Sequence, residues 1–289
     1  MKLAIGSAQF GMNYGLYNNK KIRQKEFKKI EKLVLRSGIN FIDTASSYGE
    51  SENIIGNSKL RNLNIITKIK LSTKKKINIQ KWVSNEVSKS LKRLKIKKIY
   101  GLLVHDYKDL LGESGKSFLY SLQELKRKRI IKKIGISIYE TKEINKIWKF
   151  WKPDLVQVPL NLFDNRILNS GWINILKKFK IEIYARSVFL QGLLINDYDL
   201  FNFNKKCLSS LDELKQWCYK KKISQLKACI HFVKQCKKID YLVVGFNSYF
   251  QLKEIIDVFK KKQFIIAKNF STNNLNLIDP RRWSIIKKS

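Results

Sequence analysis

The regular alternation of short apolar runs with amphipathic segments most constrains what this chain of 289 residues can fold into. Eight runs have the length and the β-branched content of buried strands, and amphipathic segments lie between them. We therefore expect parallel strands that are joined by right-handed helical crossovers. The predicted strands are residues 3–5, 40–42, 63–67, 99–104, 133–137, 155–158, 182–185 and 241–244.

The segments between the strands have the periodicity of surface helices. Val87, Leu91 and Leu94, for example, recur at helical spacing and would form one apolar face. The region 212–235 is expected to form two helices rather than one. The other predicted helices occupy residues 24–36, 80–94, 115–126, 140–151 and 248–261.

At this length, eight strand–helix units predict an α/β protein with one domain, a (β/α)8 TIM barrel of eight parallel strands over residues 1–289. Residues 264–289 are expected to form a C-terminal tail that packs on the barrel. A doubly wound open sheet is the alternative, but no Gly-x-Gly-x-x-Gly follows any strand and no P-loop is present. No Gly/Ser-rich linker divides the chain, which agrees with one domain.

Four polar, titratable side chains fall at the ends of three predicted strands. Asp43 and Tyr48 follow the second strand, Lys68 follows the third, and His105 follows the fourth. Taken singly, each has a structural explanation, such as a helix cap for Asp43 or a partly buried aromatic for Tyr48. Because active sites of barrels lie at the C-terminal ends of the strands, the four together predict one catalytic site.

This combination of side chains suits the reduction of a carbonyl group. Addition of hydride leaves negative charge on the carbonyl oxygen, which must be protonated or stabilised. Tyr48 would be the general acid, and the ammonium of Lys68 is expected to lower its pKa from the usual value of about 10. Asp43 would orient Lys68 through an ion pair, and His105 would donate a hydrogen bond to the carbonyl oxygen.

The net charge of +36 is of the kind found in proteins that bind nucleic acid or anionic membranes. The excess, however, consists of 49 lysines against 10 arginines, spread over the whole chain. Specific nucleic-acid readers favour arginine forks and aromatic platforms. We therefore assign the charge to solvated helix faces and a predicted loop at 74–76, and expect neither nucleic acid nor membrane as a partner.

Cysteine usage and the N-terminus predict a cytoplasmic protein without a metal site. No two of the cysteines have the spacing of a zinc or redox motif, and Cys229 with His231 is too weak a signal for a metal site. Reduced structural thiols are expected instead. Met1 and Lys2 lead directly into the first strand without a signal-peptide pattern, and no apolar run is long enough to span a membrane. The four cysteines are Cys207, Cys218, Cys229 and Cys236.

The order and spacing of several motifs resemble those of the aldo/keto reductase superfamily over essentially the whole chain. The first is Asp43-x4-Tyr48-Gly49-x-Ser51-Glu52, followed by Ile66-Thr67-Lys68 and Leu102-Leu103-Val104-His105-Asp106. The later ones are Ile134-Gly135-Ile136-Ser137, Gln157-Val158-Pro159-Leu160-Asn161, Ser187-Val188-Phe189-Leu190-Gln191-Gly192-Leu193-Leu194, Val244-Gly245-Phe246-Asn247-Ser248 and Gln251-Leu252-x-Glu254.

The resemblance implies a (β/α)8 barrel and a nicotinamide cofactor, NADP (NADPH) rather than NAD, bound without a Rossmann domain. By matching position it makes Tyr48 the general acid/base and completes the catalytic set with Asp43, Lys68 and His105. It also implies that Ser137 and Gln157 bind the nicotinamide carboxamide. Residues after strands seven and eight would bind the pyrophosphate and the adenosine: Ser187, Phe189, Gln191 and Gly192, then Gly245, Asn247, Ser248, Gln251 and Glu254.

Three positions depart from the pattern of the family. Ile138 stands where many members have Asn. Arg186 stands where many members stack an aromatic ring on the nicotinamide, so its guanidinium would stack there instead or contact an anionic substrate. Gln251 replaces a basic residue that often binds the 2′-phosphate of the cofactor, although Lys253 is close by. Residues 273–283 are expected either to fold over the substrate mouth or to dock as a simple tail.

These observations predict an NAD(P)H-dependent oxidoreductase that reduces an aldehyde, a ketone or a sugar-like carbonyl, with a substrate that is sugar-like or anionic. One alternative is a regulatory protein that binds the cofactor on the same barrel and acts as a sensor. The other is a basic protein associated with nucleic acid. The complete set of four catalytic side chains favours the enzyme, since a sensor need not retain all of them.

Overall fold

The fold is a closed barrel of eight parallel strands, which confirms the predicted (β/α)8 architecture. A computed structural model describes residues 1–15, 20–71, 78–196 and 203–283. The predicted loop at 74–76 and residues 284–289 of the predicted tail lie outside these ranges. The strands are β1 (Lys2–Gly6), β2 (Phe41–Asp43), β3 (Asn64–Ile69), β4 (Ile99–Val104), β5 (Ile131–Ser137), β6 (Leu155–Pro159), β7 (Glu182–Arg186) and β8 (Tyr241–Val244).

The order of the strands in the sheet is the order of the strands in the chain. Each strand pairs in parallel with the next, and β1 closes the barrel by pairing with β8, with Ala4 opposite Val243. The open doubly wound sheet is therefore wrong. Closure leaves no edge strand, so the barrel has one rim where all eight strands end and one where they all begin.

The helices lie between the strands, as the periodicity predicts, with small shifts at their ends. The helix predicted at 140–151 stops at Trp148, and the two helices predicted within 212–235 begin earlier, at Lys205. None of the helices in the described ranges is long and apolar enough to cross a membrane. They are α1 (Ala8–Gly11), α2 (Gln24–Arg36), α3 (Ser51–Gly56), α4 (Ile79–Leu94), α5 (Gly115–Arg127), α6 (Thr141–Trp148), α7 (Arg166–Asn169), α8 (Trp172–Lys178), α9 (Lys205–Lys220), α10 (Gln225–Gln235), α11 (Tyr249–Lys260) and α12 (Leu275–Ile278).

Aromatic side chains fill the barrel at the N-terminal ends of its strands. The rings of Tyr184 and Tyr241 stack 4.3 Å apart, and Phe41 packs against Tyr241 at the same distance. The Glu182 carboxylate accepts hydrogen bonds from the hydroxyls of Tyr100 at 2.8 Å and Tyr184 at 3.1 Å, which satisfies the polar atoms of this plug. The barrel is therefore closed at this end, and a cavity can open only at the other.

Residues 264–270 pack on the outside of the barrel against α9 and α10, whereas Ile278–Arg281 lie at the rim and line a pocket together with Tyr139 and Arg186. Phe270 is buried beside Trp217, with ring centroids 5.5 Å apart, and Ile266 is buried as well. The Trp283 indole nitrogen donates to the Asn276 carbonyl at 2.9 Å, and its ring packs edge-on against Phe203. Apolar contacts of this kind hold the segment in place after the last barrel helix.

His231 is a buried structural residue of α10. Its Nδ1 accepts a hydrogen bond from the Phe264 backbone amide at 2.6 Å, which leaves Nε2 to donate to the Val258 carbonyl at 3.2 Å. This requires the neutral imidazole, and burial lowers the pKa of His231 from its usual value. Cys229 is also buried, and no cluster of three or more His, Cys, Asp or Glu side chains suited to a metal occurs among the described residues.

We predict that His231 makes the fold sensitive to mild acid. Below a pH of about 6.5 the unfolded chain gains a proton on this imidazole that the folded chain does not, so stability falls as the pH drops. Between about pH 7.5 and about pH 5.5 the loss from this residue amounts to at most about 1.4 kcal/mol. Melting temperatures at both pH values should drop further for the wild type than for His231→Asn; equal drops would contradict the prediction.

Candidate active site

A cavity opens at the C-terminal ends of the barrel strands, opposite the aromatic plug. The four predicted catalytic side chains, Asp43, Tyr48, Lys68 and His105, all line it. Asp43 is the last residue of β2, and His105 directly follows β4, as expected. Lys68 lies one residue inside β3, because that strand continues to Ile69, and its side chain still reaches the same cavity.

A buried ion pair forms the base of this cavity. The Lys68 ammonium lies 2.6 Å from one Asp43 carboxylate oxygen and donates a second hydrogen bond to the Thr44 carbonyl at 2.9 Å. The other Asp43 oxygen accepts a hydrogen bond from the Gln157 side-chain amide at 2.8 Å. Burial lowers the pKa of Lys68, and Asp43 opposes this through its charge and its hydrogen bond. Three strands thus fix the ion pair.

Tyr48 lies beside the Lys68 ammonium of this ion pair, and His105 lies beside Tyr48. The Lys68 ammonium lies 3.5 Å from the Tyr48 hydroxyl and 5.0 Å from the centre of its ring. The imidazole of His105 meets the ring of Tyr48 edge-on, with centroids 6.2 Å apart. The phenol therefore lies close to both the ammonium and the imidazole.

The pKa values of the site differ in one respect from the expectation. Loss of hydration raises the pKa of Tyr48, the Asp43 carboxylate raises it further, and the Arg186 guanidinium opposes these effects. The pKa of Tyr48 is therefore raised and not lowered as expected, because burial and the Asp43 carboxylate outweigh the nearby cations. Loss of hydration and the charges of Lys68 and Arg186 lower the pKa of His105 to about 3. At neutral pH the phenol is protonated and the imidazole is neutral.

The turn that carries Tyr48 is held from below by a small polar network. The hydroxyl of Ser51 lies 2.7 Å from that of Ser7 and 3.0 Å from that of Thr44. Ser7 in turn donates to the backbone carbonyl of Asp43 at 2.9 Å. All of these hydroxyls are buried, so the network ties the first strand end to the turn after β2.

Most of the residues that the sequence assigns to the cofactor line the same cavity. They are Ser137, Gln157, Arg186, Ser187, Phe189, Gln191, Gly192, Gly245, Asn247 and Gln251. Two do not. Ser248 is the N-cap of α11, where its hydroxyl accepts from the Gln251 backbone amide at 3.2 Å. Glu254 is exposed and lines a neighbouring pocket instead.

This neighbouring pocket continues the cavity into a groove along the barrel rim. Ile195, Asn196, Gly245 and Gln251 line both. Beyond them the groove is lined by side chains of α9 and α11, among them Lys215, Tyr219 and Glu254. The whole groove therefore leads from Lys68 and Tyr48 to the N-terminal end of α11.

The loop after β7 has an unusual backbone along this groove. Ser187, Leu190 and Gln191 all have positive φ, at 59°, 48° and 54°. The Asn161 side-chain amide donates to the Ser187 carbonyl at 3.1 Å and helps to hold the loop in this form. Left-handed non-glycine residues carry a cost of order 1–3 kcal/mol each and cluster at functional sites.

The sequence matches the profile of the Aldo/keto reductase family over residues 2–269. The chain belongs to the aldo/keto reductase family. Members of this family are oxidoreductases that act on small-molecule carbonyl substrates with nicotinamide cofactors. No curated protein sequence matches this aldo/keto reductase.

Solved structures of other family members share its fold. An aldo-keto reductase from Bacillus halodurans, in its holo form, is 18% identical with a TM-score of 0.74, and the match covers 91% of this chain and 88% of that one. A glycerol dehydrogenase from Gluconobacter oxydans is 22% identical with a TM-score of 0.68, covering 90% and 86%. At these identities the likeness concerns the barrel architecture.

The sequence did not single out several residues that line the site of this aldo/keto reductase. Ser7, Gln9 and Tyr14 follow β1, and Tyr139 follows β5. The rule that located the catalytic residues, that side chains just after a barrel strand face the rim, applied to them as well. The end of β1 carries no charged or motif residue that would mark Ser7, Gln9 and Tyr14, and Tyr139 lies two residues beyond the motif that ends at Ser137.

We predict that Gly11→Ala displaces the Tyr48 turn. A Cβ at this position would overlap the backbone of Tyr48 and Ser51. Overpacking against backbone of this kind costs about 3 kcal/mol, so both thermal stability and turnover should fall. Gly112→Ala is the matched control, since nothing lies within 4 Å of a Cβ there. Equal melting temperatures for the two variants would contradict the tight contact.

Proposed function

We propose that this protein is an NAD(P)H-dependent carbonyl reductase in which Tyr48 is the general acid and Asp43, Lys68 and His105 complete the catalytic set. The observation that carries the proposal is the buried ion pair at the cavity base, with its ammonium 3.5 Å from the Tyr48 hydroxyl. This geometry supports a mechanism in which the Tyr48 phenol is held in one position and stays protonated until negative charge develops on a substrate oxygen.

In the reaction, Tyr48 donates its proton to the substrate carbonyl oxygen. The raised pKa keeps the phenol protonated at neutral pH. The proton is transferred only when negative charge develops on the substrate oxygen beside it. The phenolate that forms is stabilised by the Lys68 ammonium, which is already in place and needs no rearrangement. Neutral His105 is available as a hydrogen-bond donor that orients the carbonyl oxygen towards Tyr48.

The residues around the groove fit a dinucleotide cofactor. Buried Ser137 and Gln157, paired across β5 and β6, offer a hydroxyl and an amide to a carboxamide beside the ion pair. The left-handed loop after β7 and the N-terminus of α11 offer backbone amides to phosphates. Gly245 leaves room that a Cβ would fill, since it would lie 3.2 Å from the Gln9 amide. The bound nicotinamide would supply the hydride.

We further propose NADPH as the preferred cofactor. Gln251 cannot provide a charge to a 2′-phosphate, and its side-chain oxygen is engaged by the Asn247 amide at 2.7 Å. Lys215 lines the far end of the groove, and Lys253 lies exposed on α11. These lysines would supply the positive charge that a 2′-phosphate requires.

We expect Tyr48→Phe to lower kcat for aldehyde reduction about 1000-fold, because the general acid is lost while the ring remains. The affinity for NADPH, measured by fluorescence titration, should stay nearly unchanged. Tyr120→Phe, an exposed tyrosine on α5, is the control. Unchanged turnover in Tyr48→Phe would remove Tyr48 from the mechanism.

We expect Lys215→Gln to weaken NADPH binding about fivefold and to leave NADH binding unaffected, since a single exposed ion pair to a phosphate contributes about 1 kcal/mol. Lys220→Gln, on the same helix but outside the groove, should change neither affinity. Fluorescence titrations with both cofactors measure this. Parallel losses for NADPH and NADH would show that Lys215 does not read the 2′-phosphate.

A further inference from the structure

Arg186 is the last residue of β7, and its side chain lines the catalytic cavity together with Tyr48, Lys68 and His105. It also lines a smaller adjoining pocket, whose other wall is the C-terminal segment at Ile278–Arg281. The guanidinium therefore lies at the junction of the catalytic cavity and this adjoining pocket, the mouth.

The charge of Arg186 is not matched by the protein. At the base of the cavity, the Asp43 carboxylate is already paired with Lys68 at 2.6 Å. The acidic residues of the mouth have basic partners of their own: Asp279 with Arg281 at 2.6 Å, Asp164 with Arg166 at 2.7 Å, and Glu140 with Lys142 at 2.6 Å. Within the described ranges, Arg186 forms no ion pair.

The same guanidinium is nonetheless held rigidly. It donates to the Ile138 backbone carbonyl at 2.9 Å and to the Ser187 hydroxyl at 3.0 Å. Its plane lies over the ring of Tyr139 at 4.3 Å, and Arg281 lies over the same ring at 4.1 Å. These contacts fix the orientation of the side chain before any ligand arrives, which lowers the entropic cost of binding.

The hydrogen-bonding capacity of this guanidinium is only partly used. It carries five N–H donors, of which the contacts to Ile138 and Ser187 occupy two. The Nε atom is buried and has no hydrogen-bond partner. A buried donor without a partner is costly, and an oxyanion placed beside it would relieve that cost while forming a charge-assisted pair.

We propose that Arg186 binds an anionic group of the substrate, and that the preferred substrates are small carbonyl compounds that carry a carboxylate. This inference rests on the proposed reductase function and names its substrate class. A carboxylate accepts two parallel N–H bonds from one guanidinium, so it would fix the carbonyl of a short oxo acid with respect to Tyr48 and His105.

A cofactor phosphate is the other oxyanion that such a residue could bind. The groove offers backbone amides to phosphates along the loop after β7, which begins at Ser187 beside Arg186, and at the capped N-terminus of α11. Arg186 instead faces the four catalytic side chains and the mouth. We therefore assign its free donors to the substrate, and the experiment separates the two sources.

The test compares oxo acids with neutral carbonyl compounds of matched size: glyoxylate, pyruvate and succinic semialdehyde against their methyl esters. Arg186→Met should lower kcat/KM for the acids about 100-fold more than for the esters, because truncating one partner of a buried charge pair has this order of effect and any change at Tyr48 is common to both substrates. Arg186→Lys keeps the positive charge but lacks the two parallel N–H donors of a guanidinium, so its kcat/KM for the acids should lie between those of the wild type and Arg186→Met. The control is Arg282→Gln, which replaces an exposed arginine next to the C-terminal segment Ile278–Arg281.

The remaining outcomes all decide the matter. If NADPH affinity in Arg186→Met falls together with kcat/KM for the acids, the residue binds a cofactor phosphate. If kcat/KM falls equally for acids and esters, the residue has a general positioning role. Either result overturns the proposal. If no carbonyl compound is reduced, the reductase function fails instead. Calorimetric titration with lactate against its methyl ester, on protein loaded with oxidised cofactor, then still reports whether Arg186 selects carboxylates, and equal binding would overturn the proposal.

Discussion

The whole site depends on one interaction, the ion pair between Lys68 and Asp43. Both side chains are almost fully buried, so hydration lost by each charge must be replaced by the other and by fixed dipoles. The Thr44 carbonyl supplies one of those dipoles directly after β2, and the Gln157 amide supplies the other from β6. Removing either charge would leave the other buried and unmatched, so the pair constrains β2, β3 and β6 together. The Asp43 carboxylate of the pair also contributes to the raised pKa of Tyr48.

The barrel separates the part that holds the fold together from the part that binds ligands. At one end, the stacked rings of Tyr184 and Tyr241 fill the interior and make it a packed core. At the other end, polar side chains at or near the strand ends, among them Asp43, Lys68 and Ser137, line a cavity. A rigid floor beneath a polar rim lets the rim carry a buried ion pair and a left-handed loop. Those features cost stability, and the rest of the barrel offsets it.

Charge has two separate roles in this molecule. The excess of lysine lies mostly on exposed helix faces and produces a general positive field that attracts anions. Within the cavity, by contrast, the decisive charge is one arginine, because Asp43 cancels Lys68 and the low pKa of His105 keeps its imidazole neutral. Substrate choice would therefore be governed by a single fixed guanidinium and not by the charge of the whole surface.

The sequence by itself determined the strands, the closure of the barrel and the rim on which Asp43, Tyr48, Lys68 and His105 meet, because strand and helix periodicities are local and parallel strands must all end on one side. It did not determine the protonation of Tyr48, the bond from Gln157 to Asp43, or the unpaired state of Arg186. Each of these depends on distances between strands far apart in the chain. Hydration and charge pairing exist only once the barrel has closed, so only the tertiary structure decided them.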